Sequence, residues 1–298
     1  MIDRVEDVRR GEERSAVRWP ARAFTRWLVP LGAVMRKETR IFFRYRSWVV
    51  GLGLWPVLFP LSYLLVGRAL AGPHGEGMLA FSQTAGTTNY TGFIVIGTTA
   101  WMWLNITLWM LGLSLRQEQM RGTLESNWLA PTPRLLVLLG TSATQVLTAT
   151  VFLLVSLLEV TLLLRVRFSG SASTALALTA LSMPWVYGLG MAFAALVLRF
   201  KEPTALVYVV RGLFLVFSGM TFPLAVLPQW MRLVAGWLPL THTIEGLRQA
   251  LLAGASFAVV RPQLVFLTWS GMALLLAGYV SFRAVDRHVA RAGAVGHF

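Results

Sequence analysis

Six apolar stretches, near residues 48–67, 91–115, 135–164, 174–198, 204–222 and 263–282, dominate this sequence. A bilayer core is about 30 Å thick and takes roughly 20 apolar helical residues to cross. The pattern therefore predicts an all-α, polytopic membrane protein with six transmembrane helices. The third stretch is long enough to overshoot the bilayer. The first begins only after a 47-residue segment rich in arginine, unlike the short charged lead of a cleavable signal peptide, so it is expected to be retained as a span.

Charge gives the orientation. The 298-residue chain carries a formal charge of +14, and Lys37 and Lys201 are its only lysines, so the surplus is almost all arginine. Such a surplus also marks nucleic-acid binders, but here the arginines border apolar runs, as in membrane proteins. No nucleic-acid partner is expected. Segments 1–47, 116–134, 199–203 and 283–298 hold 20 Lys and Arg, the alternate segments 68–90, 165–173 and 223–262 hold 6, and Arg211 falls inside a span. By the positive-inside rule both termini should be cytoplasmic, in a multi-pass protein of the cell membrane, whether called inner or plasma membrane. With no cysteine, disulfides, thiolate metal sites and cysteine nucleophiles are excluded.

Residues 1–30 mix charges with Gly11, Pro20 and Pro30 and show no sustained period, as in a loosely ordered cytoplasmic tail. From Leu31 the pattern changes. Leu31, Val34, Met35, Phe42, Tyr45 and Val49 fall on one helical face, and Arg36, Arg40 and Arg44 recur every four residues on another, with Lys37 beside them. This predicts an amphipathic helix lying in the cytoplasmic interface, held to membrane lipid and open to a docking partner.

Enzymatic chemistry is missing. A P-loop lysine must follow glycine and precede Ser or Thr, whereas Lys37 follows Arg36, and Lys201 stands between Phe200 and Glu202. His74, His242, His288 and His297 have no metal-ligand spacing, and no serine sits in a nucleophile elbow. No catalytic, metal or cofactor-binding residue is assigned to this chain. A channel or secondary transporter would place polar residues along several spans, and two isolated charges give that reading thin support.

Two connecting segments carry more information. Between spans two and three, Thr123 can cap a short helix from Leu124 to Leu129 that Pro131 and Pro133 stop. Between spans five and six, Pro228 can start a helix to about Leu238, Pro239 breaks it, Thr241 can cap another, and Gly254 can end that one. Each is about 11 residues, too short to cross, yet Trp230, Met231, Leu233, Val234, Trp237 and Leu238 make the first too apolar for a free loop. The economical arrangement is a re-entrant helical hairpin in the outer leaflet, with Pro223, Pro228, Trp230, Pro239, Glu245 and Arg248 as its marked positions.

The first of these segments resembles the cytoplasmic coupling segment of ABC-2 type transporter permeases. There a glutamate precedes a Gly-Thr-Leu-Glu run and a proline-arginine exit; here these are Glu118, then Gly122, Thr123, Leu124 and Glu125, then Pro131 and Arg134. The order Ser218-Gly219, Phe222-Pro223, Leu227-Pro228, Trp230, Leu238-Pro239-Leu240-Thr241, Glu245-Gly246-Leu247-Arg248 and Gly254 resembles the carboxy-terminal signature of the same permeases. The likeness is greatest to the branch associated with drug and antibiotic export, and the signature is shared with exporters of polysaccharides and lipo-oligosaccharides. It covers residues 31–285, leaving the tails 1–30 and 286–298 outside.

The resemblance implies a membrane subunit of an ATP-driven exporter of an amphiphile. It would be paired as a homodimer with two copies of a separate cytoplasmic ABC ATPase that carries the ATP and Mg. It also implies that Glu118, Arg121 and Glu125 make polar contacts with that ATPase and that Leu124 and Trp128 form an apolar knob, beside the Gly122-Thr123 entry.

Glu159 and Arg211 are costly in hydrocarbon and are functional candidates for that reason. Glu159 stands roughly 24 residues along the outward-running third span and Arg211 about 7 residues into the fifth, a depth difference of about 25 Å. They should not pair. Glu159 is expected near the outer interface beside Arg165 or Arg167, and Arg211 is expected to snorkel toward cytoplasmic water.

Overall fold

The computed structural model describes residues 32–37, 39–40, 43–44, 46–72, 76–112, 134–163, 166, 168, 170–199 and 203–292. These form α1 (Arg46–Leu70), α2 (Glu76–Ala85), α3 (Tyr90–Gly112), α4 (Arg134–Leu163), α5 (Ala172–Arg199) and α6 (Pro203–Phe217). A 3₁₀ turn (Leu224–Val226), α7 (Gln229–Gly236), α8 (Pro239–Leu252) and α9 (Arg261–Ala292) follow. No strand occurs among the described residues. Stretches long and apolar enough to cross a membrane lie in α1, α3, α4, α5 and α9, making this a polytopic helical membrane protein.

One expected span differs. The stretch 204–222 does not run as one helix: α6 stops at Phe217 after 15 residues, about 22 Å. Hydropathy continues past that point, but Ser218 bends and Gly219 takes φ +66, a left-handed conformation that terminates a helix. Two further differences are smaller. α2 fills part of the connection after α1, and α9 continues past residue 285 to Ala292.

α3 is the central element, with 78% of its spanning window buried against 17% for α1 and 22% for α9. Asn89 fixes its start, its side-chain oxygen accepting the Gly92 N–H at 2.8 Å. The contacts along α3 define direction. α1 and α4 run antiparallel to it, Phe59 stacking on Trp101 at 5.2 Å and Tyr90 lying at Gly67, while the Thr99 and Ser156 hydroxyls meet at 3.4 Å. α5 runs parallel, with Trp103 edge-on to Trp185 and Leu111 against Gly190. α6 runs antiparallel, Tyr208 packing on Trp109 and Met220 reaching Gly97. Several hydroxyls along the apolar helices return to their own backbone, Thr98 donating to Ile94 O, Thr107 to Trp103 O and Thr179 to Ala175 O, so these three donors are met within the core.

α5 and α9 pack side by side in the same direction. Pro184 touches Gly271, the backbone at Leu274 passes over Gly188, and Gly278 faces Gly188 and Met191. A seam of small residues lets two backbones approach this closely where lipid offers no hydrophobic drive for association. Because the two helices are parallel, the chain between them must travel back along the whole bundle. α6 covers the first part and ends at the level of Gly97. α8 then starts deep in the bundle, Thr243 bonding Ser182 at 2.9 Å, and climbs until the Ala250 carbonyl accepts the Ser171 N–H at the beginning of α5. The return is made in two pieces.

A leucine at Gly188 would drive side-chain atoms into the Leu274 backbone, whereas a methyl at Gly212 meets nothing within 4 Å. Gly188→Leu is expected to destabilise the fold by about 1–3 kcal/mol, and Gly212→Ala to leave it unchanged or firmer by about 0.5–1 kcal/mol. Thermal unfolding of the two variants in detergent checks the contrast.

Candidate functional site at the broken return helix

The site grows from the gap between α6 and α8. α8 begins at Pro239 in its first turn, with Leu238 extended before it. Proline there has no N–H to lose and its φ is already helical, so it starts the helix that Thr241 was expected to cap. Thr241 instead lies inside the first turn, its hydroxyl buried with no partner among the described residues. Gly254, at φ +66, ends the helix region as expected. Pro228 precedes α7 with φ −54, and Pro223 precedes the 3₁₀ turn. Trp230 and Leu233 of α7 and Trp237 just after it are exposed, Trp230 by 61%. Eight residues of α8 are buried.

Arg248 of α8 closes the gap. Its Nε and Nη2 donate to Phe93 O at 3.3 and 3.1 Å, Nη1 donates to Gly219 O at 3.0 Å, and Nη2 also donates to Met220 O at 2.7 Å. The guanidinium carbon lies 3.3 Å from the centre of the Phe93 ring. A Cβ at Gly97 would overlap the Met220 carbonyl, so glycine is required there. Glu245, one turn before Arg248, is half-buried. The three carbonyl acceptors of Arg248 stand in for water around its charge.

Glu159 Oε2 and Arg211 Nε are both buried without a hydrogen-bond partner among the described residues. Arg211 does not snorkel freely: its guanidinium lies 5.5 Å from the Trp101 and Trp109 rings and 5.4 Å from Tyr208, and its Nε is buried with no acceptor among the described residues. Aromatic faces replace water around the charge. Glu159 turns Oε1 toward Gly53 of α1, and Oε2 is buried without a partner among the described residues. Its expected partners Arg165 and Arg167 lie outside those residues.

At the other end of the bundle, residues 32–37 are helical, Val34 and Met35 are half-buried, and Arg36, Lys37, Arg40 and Arg44 are exposed. Leu31, Phe42 and Tyr45 lie outside the described residues. So do Glu118, Arg121, Gly122, Thr123, Leu124, Glu125 and Trp128, between the end of α3 and the start of α4. The residues that sequence reasoning missed are Gly97, Trp101, Trp109 and Tyr208. The two tryptophans, eight apart, share one face of a helix, which is the only sign of the Arg211 cage in the sequence.

A family model described as ABC-2 type transporter matches residues 31–252. The chain belongs to the ABC-2 type transporter family. The match opens at Leu31, where the basic segment begins, and ends at Leu252, the last residue of α8, so the permease region includes the broken return helix and its Arg248 junction. As an ABC-2 permease it is the membrane component of a transporter and not itself a P-loop ATPase. No curated protein matches the chain.

Removing the Arg248 head should open the junction. Arg248→Met is expected to destabilise the permease by about 2–4 kcal/mol, because three carbonyls lose a charged donor in a buried place. Arg248→Lys should recover little, since one ammonium lacks the fork that spans all three. Chemical or thermal unfolding of both variants measures the difference.

Proposed function

We propose that this permease is the transmembrane subunit of an ATP-driven ABC-2 exporter that moves an amphiphile outward, with ATP and Mg bound by a separate ATPase. The carrying observation is the family match, joined to the Glu118 and Gly122-Thr123-Leu124-Glu125 run between α3 and α4. A homodimer would engage two ATPase copies, each pressing on loop 116–134 and the basic helix around Arg36, Lys37, Arg40 and Arg44. Glu118, Arg121 and Glu125 make the polar contacts, and Leu124 and Trp128 the apolar one. The arginine asymmetry supports cytoplasmic termini in the cell membrane.

Six crossings follow if α6 and α8 together make the fifth. Their parallel neighbours α5 and α9 support this, since the chain must return between them. α7, with Trp230 and the following Trp237 open, is then the tip of the re-entrant hairpin in the outer leaflet. The face carrying Arg211 supports both the dimer and the choice of cargo. Leu54, Trp55 and Leu58 of α1 and Tyr208, Val209 and Leu213 of α6 are exposed apolar side chains, and Arg211 lies beside Tyr208. An amphiphile or a second subunit suits such a surface. Export of drugs fits this chemistry, and export of a lipid-linked glycan is the alternative it also admits.

Co-reconstitution with a candidate ABC ATPase tests the reading. Glu118→Lys and Glu125→Lys should each reduce ATP-driven transport about tenfold, equivalent to about 1.4 kcal/mol, while membrane insertion stays normal. Transport that persists without any ATPase would overturn the mechanism, and unchanged transport in both variants would move the coupling contact elsewhere. Substituting both Glu159→Gln and Arg211→Leu tests whether either lines the path.

A further inference from the structure

An open cleft of about 680 Å³ lies where α3 begins, walled by the end of α2, the turn after it and the last turn of α8. Ser82, Gln83, Thr87 and Thr88 border it, and Phe93, Arg248 and Gln249 face it from the bundle side. Its turn is fixed by Gly86 at φ +67 and by Thr87, whose hydroxyl oxygen accepts the Asn89 N–H at 3.2 Å.

Two groups on residues that line this cleft lack partners among the described residues. Arg248 uses four of its five N–H groups on backbone carbonyls, and the second N–H of Nη1 has no acceptor among the described residues. The neighbouring Gln249 has Oε1 buried with no donor among the described residues. Among the described residues no carboxylate lines the cleft. A cationic donor and an amide acceptor thus stand on adjacent residues, with hydroxyls across from them. An oxyanion alone meets the first and leaves the second unmet. A neutral alcohol meets the second and leaves the charge unused. A phosphate ester with a neighbouring hydroxyl meets both. The volume is that of a small-molecule site, several times larger than a phosphate needs. Leu70 and Leu79, at the corner between α1 and α2, are 81% and 68% exposed, so an apolar surface adjoins that corner.

We propose that this cleft binds a phosphoglycerol-type headgroup, Arg248 donating to the phosphate and Gln249 accepting from the hydroxyl. The binding is independent of the transport reading, because it needs neither an ATPase nor a cargo. Leu252 and Ala253 supply the apolar side of the cleft.

The full-length chain in phosphatidylcholine nanodiscs with and without phosphatidylglycerol tests this by native mass spectrometry, with glycerol 3-phosphate as soluble competitor. Gln249→Leu removes the acceptor at similar size. Ala253→Trp fills the cleft from an exposed position after α8 and leaves Arg248 in place. The wild type should retain phosphatidylglycerol at least tenfold over phosphatidylcholine, and each variant should lose that preference with its melting temperature unchanged. Displacement by glycerol 3-phosphate shows that the headgroup alone suffices, and resistance to it with the preference intact assigns the ligand to the membrane. Equal retention of the two lipids, or an undiminished preference in both variants, overturns the proposal.

Discussion

A helix that ends inside an apolar bundle leaves carbonyls with neither the next turn nor water to bond them. α6 does this at Phe217, and its trailing carbonyls at Gly219 and Met220 are met by Arg248 from α8. The same guanidinium takes Phe93 O on the central helix, so one side chain ties three segments together. Each partner needs the others. Gly219 supplies the positive φ that ends α6, Gly97 makes room for the Met220 carbonyl, and the position of α8 delivers the donor. A longer α6 would leave Arg248 as an unpaired buried cation, which costs more than the broken helix it serves.

The architecture around this junction follows from packing direction. α5 and α9 lie parallel along a glycine seam, and parallel neighbours require a return of full bundle length between them. Two short helices provide it, with the Ser182–Thr243 hydrogen bond fixing how deep the second begins. Splitting the return places α7 between the pieces, where the exposed Trp230 and Trp237 lie on the bundle's surface.

Most of the helices were legible because an apolar run of spanning length has few other uses in a chain. The predicted ends of the second, third and fourth spans agree with α3, α4 and α5 within three residues. The fifth was misread because hydropathy measures transfer into lipid and is blind to φ: Thr221 and Phe222 extend the run, while Gly219 has already turned the chain. Pro239 was read as a breaker and serves as a starter, since the same missing N–H does both according to which side the helix lies. Arg211 was placed by depth alone. Its cage needs α3 and α6 to be neighbours, which is a fact of tertiary packing that no local pattern carries.

The chain holds charge in its apolar bundle in three ways, and they are not equivalent. Arg248 is committed to carbonyls of fixed geometry, so moving it would break the junction. Arg211 is held by ring faces, which are weaker, less directional partners, at about 0.5–2 kcal/mol each. Glu159 has one oxygen at a glycine and one unmet among the described residues. Arg248 is thereby fixed to the junction by directional bonds, whereas Arg211 is held between α3 and α6 by contacts that direct it less.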